Sequence, residues 1–522
     1  MKALERRGIV RDPIHGFMEI KNIEYDLIQY PLLRRLHDIK QLGLSHLVFP
    51  GATHSRFSHS LGVMEVAGRI AKRLVEVARR GKYCGYFFEH CDRGTEEFIE
   101  VARLAGLLHD IGHPPLSHQL EISLIELARM RALQGDESLY EALLASKGSS
   151  GGKLHEAYTK TFLRRLVGLI EDEEYEDFVK AAAAVLGGIS KREAADSLER
   201  LGLATGSVDL IRSIISHEIV DADRLDYLIR DAHMCGVVFG HIDIERLLVG
   251  LELDDSPEGP VITVHSRSMQ TVEDIFDARY KMYKTVYYHH KSIVLNVALT
   301  RVLEAIVSSW DEVAPDYLRE YLGGPEGLYS PERIASMIID RVSLFTDHDF
   351  TALVSNLMSK GDRLAKRWAR SILADRWLLP ISLIKRPDSF IMELTNTLGV
   401  ARNENDDFEL TETISKELGN LADEINSRFK EKIASVLTGV NMNSVVVEVR
   451  RERVVGSDVS DEFYSRSIYV RFLSRLGRIH LIFAYVYSDY ENVHRELYRE
   501  RSKLRRIYRE AVIETLTNAL RR

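Results

Sequence analysis

Histidines and acids cluster in one short stretch of the sequence, Leu104–Glu121, which reads LAGLLHDIGHPPLSHQLE. At its centre the adjacent pair His109 and Asp110 ends an apolar segment that is typical of a buried helix. Burying a histidine beside a carboxylate is unfavourable unless a partner compensates both, and a metal ion bound by the two side chains would do so. The alternative is an ordinary helix end, with a hydrated aspartate and a histidine near the negative end of the helix dipole.

Three further protonatable side chains follow in the same stretch, around the Pro-Pro pair at 114–115. The prolines and the glycine before them stop the helix, so we expect His113 on a turn and a new helix near Ser117. His118 and Glu121 would share one face of that helix, because they are three residues apart. The stretch therefore predicts several groups that can hold an ion or move a proton.

Helical periodicity predicts the elements that position these groups. Apolar residues recur at helical spacing after His59, as they do before His109, so both histidines are expected at helix ends that face a core. A third apolar helical pattern covers residues 208–229 and the segment just after it. This segment carries four acidic residues, Asp221, Asp223, Asp226 and Asp231. If the helix is buried, their carboxylates need partners.

The remaining pattern indicates a mainly α protein. Helical periodicity dominates up to about residue 393, whereas strand patterns appear at Val445–Val449 and in an expected hairpin of Ile468–Phe472 with Arg478–Val486. We therefore expect a helical core over residues 1–395 and a smaller α+β lobe over residues 396–522.

Composition limits the class of protein. The chain has 522 residues, 45% of them hydrophobic and 28% charged, with a net charge of −8, which argues against a generally basic nucleic-acid binder. Cys84, Cys91 and Cys235 are too few and too scattered for a disulfide framework, so we expect a reducing cytoplasm. A metal site of Cys84, His90 and Cys91 is the less favoured alternative. The sequence shows no signal region and no apolar run long enough to span a membrane.

Four ordered segments resemble the HD-domain superfamily of metal-dependent phosphohydrolases. They are PGATHSRFSHSLGVM (Pro50–Met64), HDIGHPPLSHQLE (His109–Glu121), LHEAYT around His155, and DADRLDYLIRDA (Asp221–Ala232). Their order and spacing are similar to the branch of the family that hydrolyses deoxynucleoside triphosphates (dNTPs). The resemblance covers roughly residues 5–300, and it implies an HD-type helical core.

The resemblance assigns the metal ligands to His59, His109, Asp110 and Asp223. Two imidazoles and two carboxylates suit Mn, Fe, Ni, Zn or, less comfortably, Mg, and the sequence does not choose among these divalent ions. An octahedral ion with four protein ligands keeps positions for water and a phosphate oxygen, as a hydrolase requires.

The resemblance also implies catalytic roles for five residues. Arg56 would contact the α-phosphate. His113 and His155 would line the polyphosphate, and Glu121 would support His113. We expect His118 to act as general acid toward the 5′-oxygen leaving group, while a water activated by the ion attacks the α-phosphorus.

A further set matches the family's substrate contacts: Gln41, Leu42, Arg56, Arg224, Tyr227, Asp231, Arg279 and Tyr287. Gln41 and Leu42 match residues that contact the sugar 3′-hydroxyl and close off its 2′ face. Arg224 and Arg279 match phosphate contacts, and Arg224 stands where relatives have a lysine. Tyr287 would complete a wall that rejects a ribose 2′-hydroxyl, although the tyrosines at helical spacing before it make a core stripe an equal alternative.

The resemblance implies an enzyme that hydrolyses dNTPs to deoxynucleoside and inorganic triphosphate, and the cysteine content predicts a cytoplasmic location. The alternatives are another nucleotide phosphohydrolase or phosphodiesterase of the superfamily, or a nucleotide-sensing protein without turnover. We expect a homo-oligomer, because relatives assemble. The basic segment Arg495–Glu510 carries Tyr498 and Tyr508, but its glutamates and apolar stripe favour an amphipathic helix over a single-strand nucleic-acid site.

Overall fold

The computed structural model describes residues 2–91, 93–147, 153–217, 219–257, 259–386, 390, 394, 420–437, 441–453 and 480–520. Within these residues the protein is mainly α-helical with small antiparallel sheets, which confirms the predicted fold class. No helix among them is long and apolar enough to cross a membrane. In chain order the helices up to residue 373 are α1 (Asn22–Ile28), α2 (Pro31–Arg34), α3 (Arg56–Arg80), α4 (Cys84–Phe87), α5 (Thr95–Leu108), α6 (His118–Leu133), α7 (Ser138–Lys147), α8 (Leu154–Val167), α9 (Glu173–Val185), α10 (Ala195–Arg200), α11 (Gly206–Ile215), α12 (Ala222–Cys235), α13 (Ile244–Val249), α14 (Met269–Met282), α15 (His290–Ser308), α16 (Trp310–Val313), α17 (Asp316–Leu322), α18 (Pro331–Ile339), α19 (Asp347–Lys360) and α20 (Arg363–Leu373).

The chain divides into two compact units. The first consists of Met1–Arg279 and Ala314–Ala352, and the second of Tyr280–Val313 and Leu353–Arg522. The boundary that the sequence predicts, at residue 395, lies outside the described residues, so the division into 1–395 and 396–522 stays a prediction.

Two antiparallel strand pairs belong to the first unit. Strands β1 (Arg6–Asp12) and β2 (Gly16–Lys21) flank the turn that the sequence RDPIHGF predicts. Strands β3 (Leu251–Ser256) and β4 (Gly259–Val264) form a second pair, which the sequence analysis missed. Acids occupy positions 252, 254 and 255 of β3, and they mask the alternation of apolar residues that would have indicated a strand.

Helices α3 and α5 pack closely in the first unit, with their apolar faces buried. The approach is closest at Gly106, where an added Cβ would lie 2.9 Å from the backbone nitrogen of Met64 and 2.9 Å from the carbonyl oxygen of Val63. A side chain at Gly106 would therefore push α5 away from α3.

The second unit contains the predicted C-terminal strands. Strands β5 (Ile381–Ser382), β6 (Val446–Arg453) and β7 (His480–Tyr487) form an antiparallel sheet with β7 in the centre. This confirms the strands predicted near 445–449 and 478–486, whereas the predicted strand at 468–472 lies outside the described residues. Further helices pack against this sheet, at Ala422–Ala434, Glu491–Arg499 and Arg501–Leu520.

The last two helices confirm the predicted amphipathic segment. They bury its apolar stripe in the core of the second unit: Leu497, Leu504, Tyr508 and Val512. The apolar side chains of this segment therefore serve packing, as expected of an amphipathic helix.

Cys84 and Cys91 form a disulfide, with Cα atoms 5.5 Å apart. The sequence indicated no disulfide framework, and for this pair the expectation is wrong, because α4 and the residues after it turn the chain back on itself. Both sulfurs are thereby used, so the alternative of a metal site at these cysteines is not supported. The cytoplasmic location stays a prediction.

A buried carboxylate links α5 to the first strand pair. Glu100 is fully buried, and its carboxylate lies 2.7 Å from Nζ of Lys21. Burial and the nearby Glu24 raise the pKa of Glu100 to about 7, although Lys21 opposes them. The folded protein therefore binds a proton that the unfolded chain has lost, and this group lowers stability as the pH rises from about 4.5 to about 7.

We expect Glu100→Gln to remove this pH dependence, because glutamine is uncharged and can still accept a hydrogen bond from Lys21. At pH 8 the variant should be more stable than wild type by on the order of 2 kcal/mol, and the difference should shrink toward pH 5. Thermal unfolding across this range measures the effect, with Glu96→Gln, exposed on the same helix, as the control. Parallel pH profiles for wild type and Glu100→Gln would contradict the prediction.

Candidate functional site

Three helix ends in the first unit bring the four predicted metal ligands together. His59 is the fourth residue of α3, His109 and Asp110 directly follow α5, and Asp223 is the second residue of α12. Nε2 of His59 lies 3.0 Å from Oδ1 of Asp223. Nε2 of His109 lies 3.3 Å from Oδ1 of Asp110 and 3.6 Å from Oδ1 of Asp223. Side chains far apart in the sequence therefore form one cluster.

Local sequence explains why these helices begin where they do. Ser55 caps α3 by accepting a hydrogen bond from the backbone nitrogen of Ser58, at 3.3 Å. Asp221 caps α12 in the same way through the backbone nitrogen of Arg224, at 2.6 Å. A Cβ at Gly62 of α3 would lie 1.9 Å from Oδ1 of Asp226, so glycine at this position leaves room for the Asp226 carboxylate against α3.

Electrostatics keep the carboxylates of the cluster ionised. Burial would raise the pKa of Asp110, but His109 and the Arg56 guanidinium outweigh it and hold that pKa well below its usual range. Burial acts on Asp223 in the same way, and the neighbouring His109 and His59 imidazoles hold its pKa below the usual range. An ionised carboxylate is the form that binds metal.

The imidazoles of the cluster also fit a cation. Nδ1 of His59 donates to Oδ2 of Asp226 at 2.7 Å, and Nδ1 of His109 donates to the carbonyl oxygen of Gly106 at 2.7 Å. Both rings therefore present Nε2 to the cluster, and Nε2 of His109 is buried without a hydrogen bond among the described residues. Burial would lower the pKa of His59, but Asp223 and Asp226 raise it to about 10, so the two carboxylates stabilise positive charge at this position. The residues present fit a divalent ion.

Arg56, the first residue of α3, lies against the cluster. Its side chain is buried and donates to Oδ2 of Asp110, to Oγ of Ser117 at 2.9 Å and to the carbonyl oxygen of Gln41 at 3.5 Å. The guanidinium thus touches a predicted metal ligand and a predicted substrate contact.

His118, Glu121 and His155 form a second group. The Glu121 carboxylate accepts from Nδ1 of His118 at 3.2 Å and from Nδ1 of His155 at 2.8 Å. Burial would raise the pKa of Glu121, but these two hydrogen bonds hold it well below its usual range. Among the described residues Glu121 makes no hydrogen bond to His113, because the i, i+3 spacing on α6 and the start of α8 bring His118 and His155 to its carboxylate. The support of His113 by Glu121 stays a prediction.

His113 connects the two groups. Its Nε2 lies 3.3 Å from Oδ1 of Asp110, and its ring stacks on that of His155 with centroids 4.2 Å apart. Burial and the Arg56 cation hold the pKa of His113 well below its usual range, so the ring is neutral. A neutral ring can stack on a second imidazole without charge repulsion.

A strained turn positions α6. Leu116 and Ser117 have φ angles of 55° and 57°, which are unfavourable for residues with side chains. The carboxylate of Asp347 accepts from the Leu116 nitrogen at 2.7 Å, and Oγ of Ser117 donates to the Lys40 carbonyl at 2.7 Å. Sequence analysis missed Asp347, because nothing in the local pattern links it to a turn more than two hundred residues away.

The predicted substrate contacts differ in their surroundings. Gln41 is buried, with no hydrogen-bond partner for Oε1 among the described residues. The Asp231 carboxylate accepts a hydrogen bond from Nε2 of His54 at 2.7 Å. Arg224 donates to the carbonyls of Ile219 and His217, at 3.1 and 3.0 Å.

The other predicted contacts are half-buried: Leu42, Tyr227 and Arg279 in the first unit, and Tyr287 in the second. Tyr287 ends a π-helical turn, and its ring contacts Tyr283 at a centroid distance of 5.0 Å. Their roles toward a substrate stay predictions.

Comparisons with known proteins agree with this geometry. Residues 56–230 match the model described as HD domain, and residues 242–322 match the HD associated region. All four candidate metal ligands lie inside the first match.

Similar proteins include characterised and uncharacterised ones. The uncharacterized protein YwfO of Bacillus subtilis is 31% identical over 310 residues, 59% of this chain and 58% of YwfO. The uncharacterized protein MJ1154 of Methanocaldococcus jannaschii is 29% identical over 304 residues, covering 58% and 50% of the two chains. The human deoxynucleoside triphosphate triphosphohydrolase SAMHD1 is 28% identical over 298 residues, 56% of this chain and 43% of SAMHD1. The match spans about half the length of these curated relatives. The chain therefore contains an HD domain followed by an HD-associated region.

Proposed function

We propose that this protein is a metal-dependent phosphohydrolase that converts dNTPs to deoxynucleoside and inorganic triphosphate. The observation that carries the proposal is the contact of two groups: the His59, His109, Asp110 and Asp223 cluster, and the histidines linked by Glu121, joined through His113. The likeness to triphosphohydrolases named for dNTP substrates supports the choice of substrate. The expected homo-oligomeric state stays a prediction.

His59, His109, Asp110 and Asp223 would hold the divalent ion. When bound, the ion would act as a Lewis acid and lower the pKa of a coordinated water. The chain's own contribution is to orient the imidazoles through Asp226 and Gly106 and to keep both ligating carboxylates ionised.

Arg56 would bind the phosphate that is attacked. A guanidinium has five N–H donors, and the described contacts of Arg56 use three of them, which leaves donors for phosphate oxygens. The buried Gln41 beside it would bind the sugar, because its unpartnered Oε1 can accept from a hydroxyl. Leu42, Tyr227 and Asp231 would complete the sugar pocket, and Arg224 and Arg279 would bind further phosphate oxygens.

His118 would be the general acid that protonates the 5′-oxygen as the P–O bond breaks. Glu121 accepts the Nδ1–H of His118 and stabilises its imidazolium form, whose Nε2–H would be transferred to the 5′-oxygen and leave a neutral ring. The His118 side chain is 50% exposed, whereas that of His113 is 1% exposed, so a leaving group reaches His118 more easily. His113 and His155 would line the polyphosphate.

The identity of the products tests the proposal directly. With Mn²⁺ and each dNTP, wild type should release deoxynucleoside and inorganic triphosphate, which ion-exchange chromatography separates. His109→Ala should lose at least about 100-fold in rate, because it removes a ligand. Diphosphates or monophosphates without triphosphate would contradict the proposed reaction.

Replacing single histidines tests the division of roles. We expect His118→Ala to lower kcat by about 100- to 10,000-fold, the usual contribution of a general acid, while leaving ion binding intact. Steady-state kinetics of His118→Ala and His113→Ala make the comparison. A His118→Ala enzyme that keeps most of its rate, beside an inactive His113→Ala enzyme, would reverse the assignment.

Ion binding can be measured without any substrate. Mn²⁺ binds only the folded cluster, so at one hundred times its Kd it should stabilise wild type by about 2.7 kcal/mol. The midpoint of thermal unfolding should rise accordingly. Glu96→Gln, exposed on α5 and outside both histidine groups, should respond like wild type, and His109→Ala should not respond. An equal response from His109→Ala would argue against the assigned ligands.

A further inference from the structure

A buried network of charged groups lies behind His59. Asp226 of α12 accepts from Nδ1 of His59 at 2.7 Å and from Nε2 of His15 at 2.6 Å. Arg230, one helical turn later, donates to the same carboxylate at 2.8 and 3.0 Å. Asp226 and Arg230 are 0% and 1% exposed. The His59 imidazole is therefore held from behind by a fully desolvated carboxylate.

The network extends to the turn between β1 and β2. The other side of the Arg230 guanidinium donates to Asp12, at 2.8 and 3.2 Å. Oδ1 of Asp12 also accepts from the backbone nitrogens of Ile14 and His15, at 2.8 and 2.9 Å, and so fixes the loop that carries His15. Asp12 thus shares the charge of Arg230 and places the second donor to Asp226.

We propose that Asp12, His15, Asp226 and Arg230 are positioning residues for the metal centre, acting through the Nδ1–H of His59. The inference rests on the proposed function only in taking His59 as a metal ligand. A carboxylate behind a ligating imidazole fixes its tautomer and its orientation and makes Nε2 a stronger donor. The positive charge of Arg230 offsets part of the negative charge of Asp226 and so weakens its effect on His59. Asp12 also pairs with Arg230, which leaves Asp226 more negative toward His59.

If the network served only to stabilise the fold, removing one of its charges would lower stability without changing the affinity for the ion. The first unit offers a matched control, since Arg103 donates to the buried Glu24 carboxylate between α5 and α1. Glu24→Gln removes the same kind of buried charge pair, but Glu24 contacts none of the four metal ligands. Loss of a charge in either network should destabilise the fold, whereas only the network behind His59 should alter ion binding.

The experiment measures Mn²⁺ affinity by competition with a chelator, and thermal unfolding of the metal-free protein, for Asp226→Asn, Asp12→Asn and Glu24→Gln. We expect Asp226→Asn to weaken Mn²⁺ binding about 10- to 100-fold. Asp12→Asn should weaken it less, by about 3- to 10-fold, because asparagine still accepts from the loop nitrogens. Glu24→Gln should bind Mn²⁺ with an affinity within about 2-fold of wild type, even if its unfolding midpoint falls as much as that of Asp226→Asn.

The outcomes are separable from those of the activity assay. Wild-type Mn²⁺ affinity in both Asp226→Asn and Asp12→Asn, or equal weakening in Glu24→Gln, would overturn the inference. If Asp226→Asn does not fold, the milder Asp12→Asn decides alone. A wild-type protein that binds Mn²⁺ and hydrolyses no nucleotide, with the same ordering among the variants, would defeat the proposed function and support this inference.

Discussion

The close approach of α3 to two other helices is the constraint on which the candidate site depends. Gly106 lets α5 meet the α3 backbone, and Gly62 lets Asp226 and Arg230 of α12 reach the same helix. A larger residue at Gly106 would meet the α3 backbone, and one at Gly62 would displace the Asp226 and Arg230 side chains, so either change would disturb the placement of the candidate ligands. The ligands lie at helix ends, where small displacements of an axis move a side chain most.

The close packing of these helices buries several charged side chains, and positive and negative groups alternate among them. Asp110 lies between His109, His113 and Arg56, while Asp226 lies between His59, His15 and Arg230. Each carboxylate thus remains ionised without an isolated buried charge. An incoming ion and an incoming phosphate carry opposite charges as well, so they would extend the same alternation.

Local sequence was enough to predict the helices of the first unit, because apolar periodicity is a short-range signal, whereas the set of candidate ligands came from the resemblance to the HD-domain superfamily. Apolar periodicity located α3, α5 and α12, and the prolines before Ser117 located the start of α6. The network behind His59 was beyond such reasoning, since His15 and Asp226 are separated by 211 residues. Asp226 stood out only as an acid in need of a partner. Likewise, the partner of Glu121 depended on where α8 begins, which no spacing within α6 reveals.

The contacts at the turn between β1 and β2 bear on how this protein can be dissected. The recognised HD segment starts at Arg56 and contains every candidate ligand, yet Asp12 and His15 lie more than forty residues before it. A fragment cut at the edge of the recognised segment would keep its ligands but leave Asp226 and Arg230 facing solvent where the hairpin had been. A fragment that keeps the contacts behind the candidate metal ligands must therefore be longer than the segment by which the domain is recognised, and it must include the first strand pair.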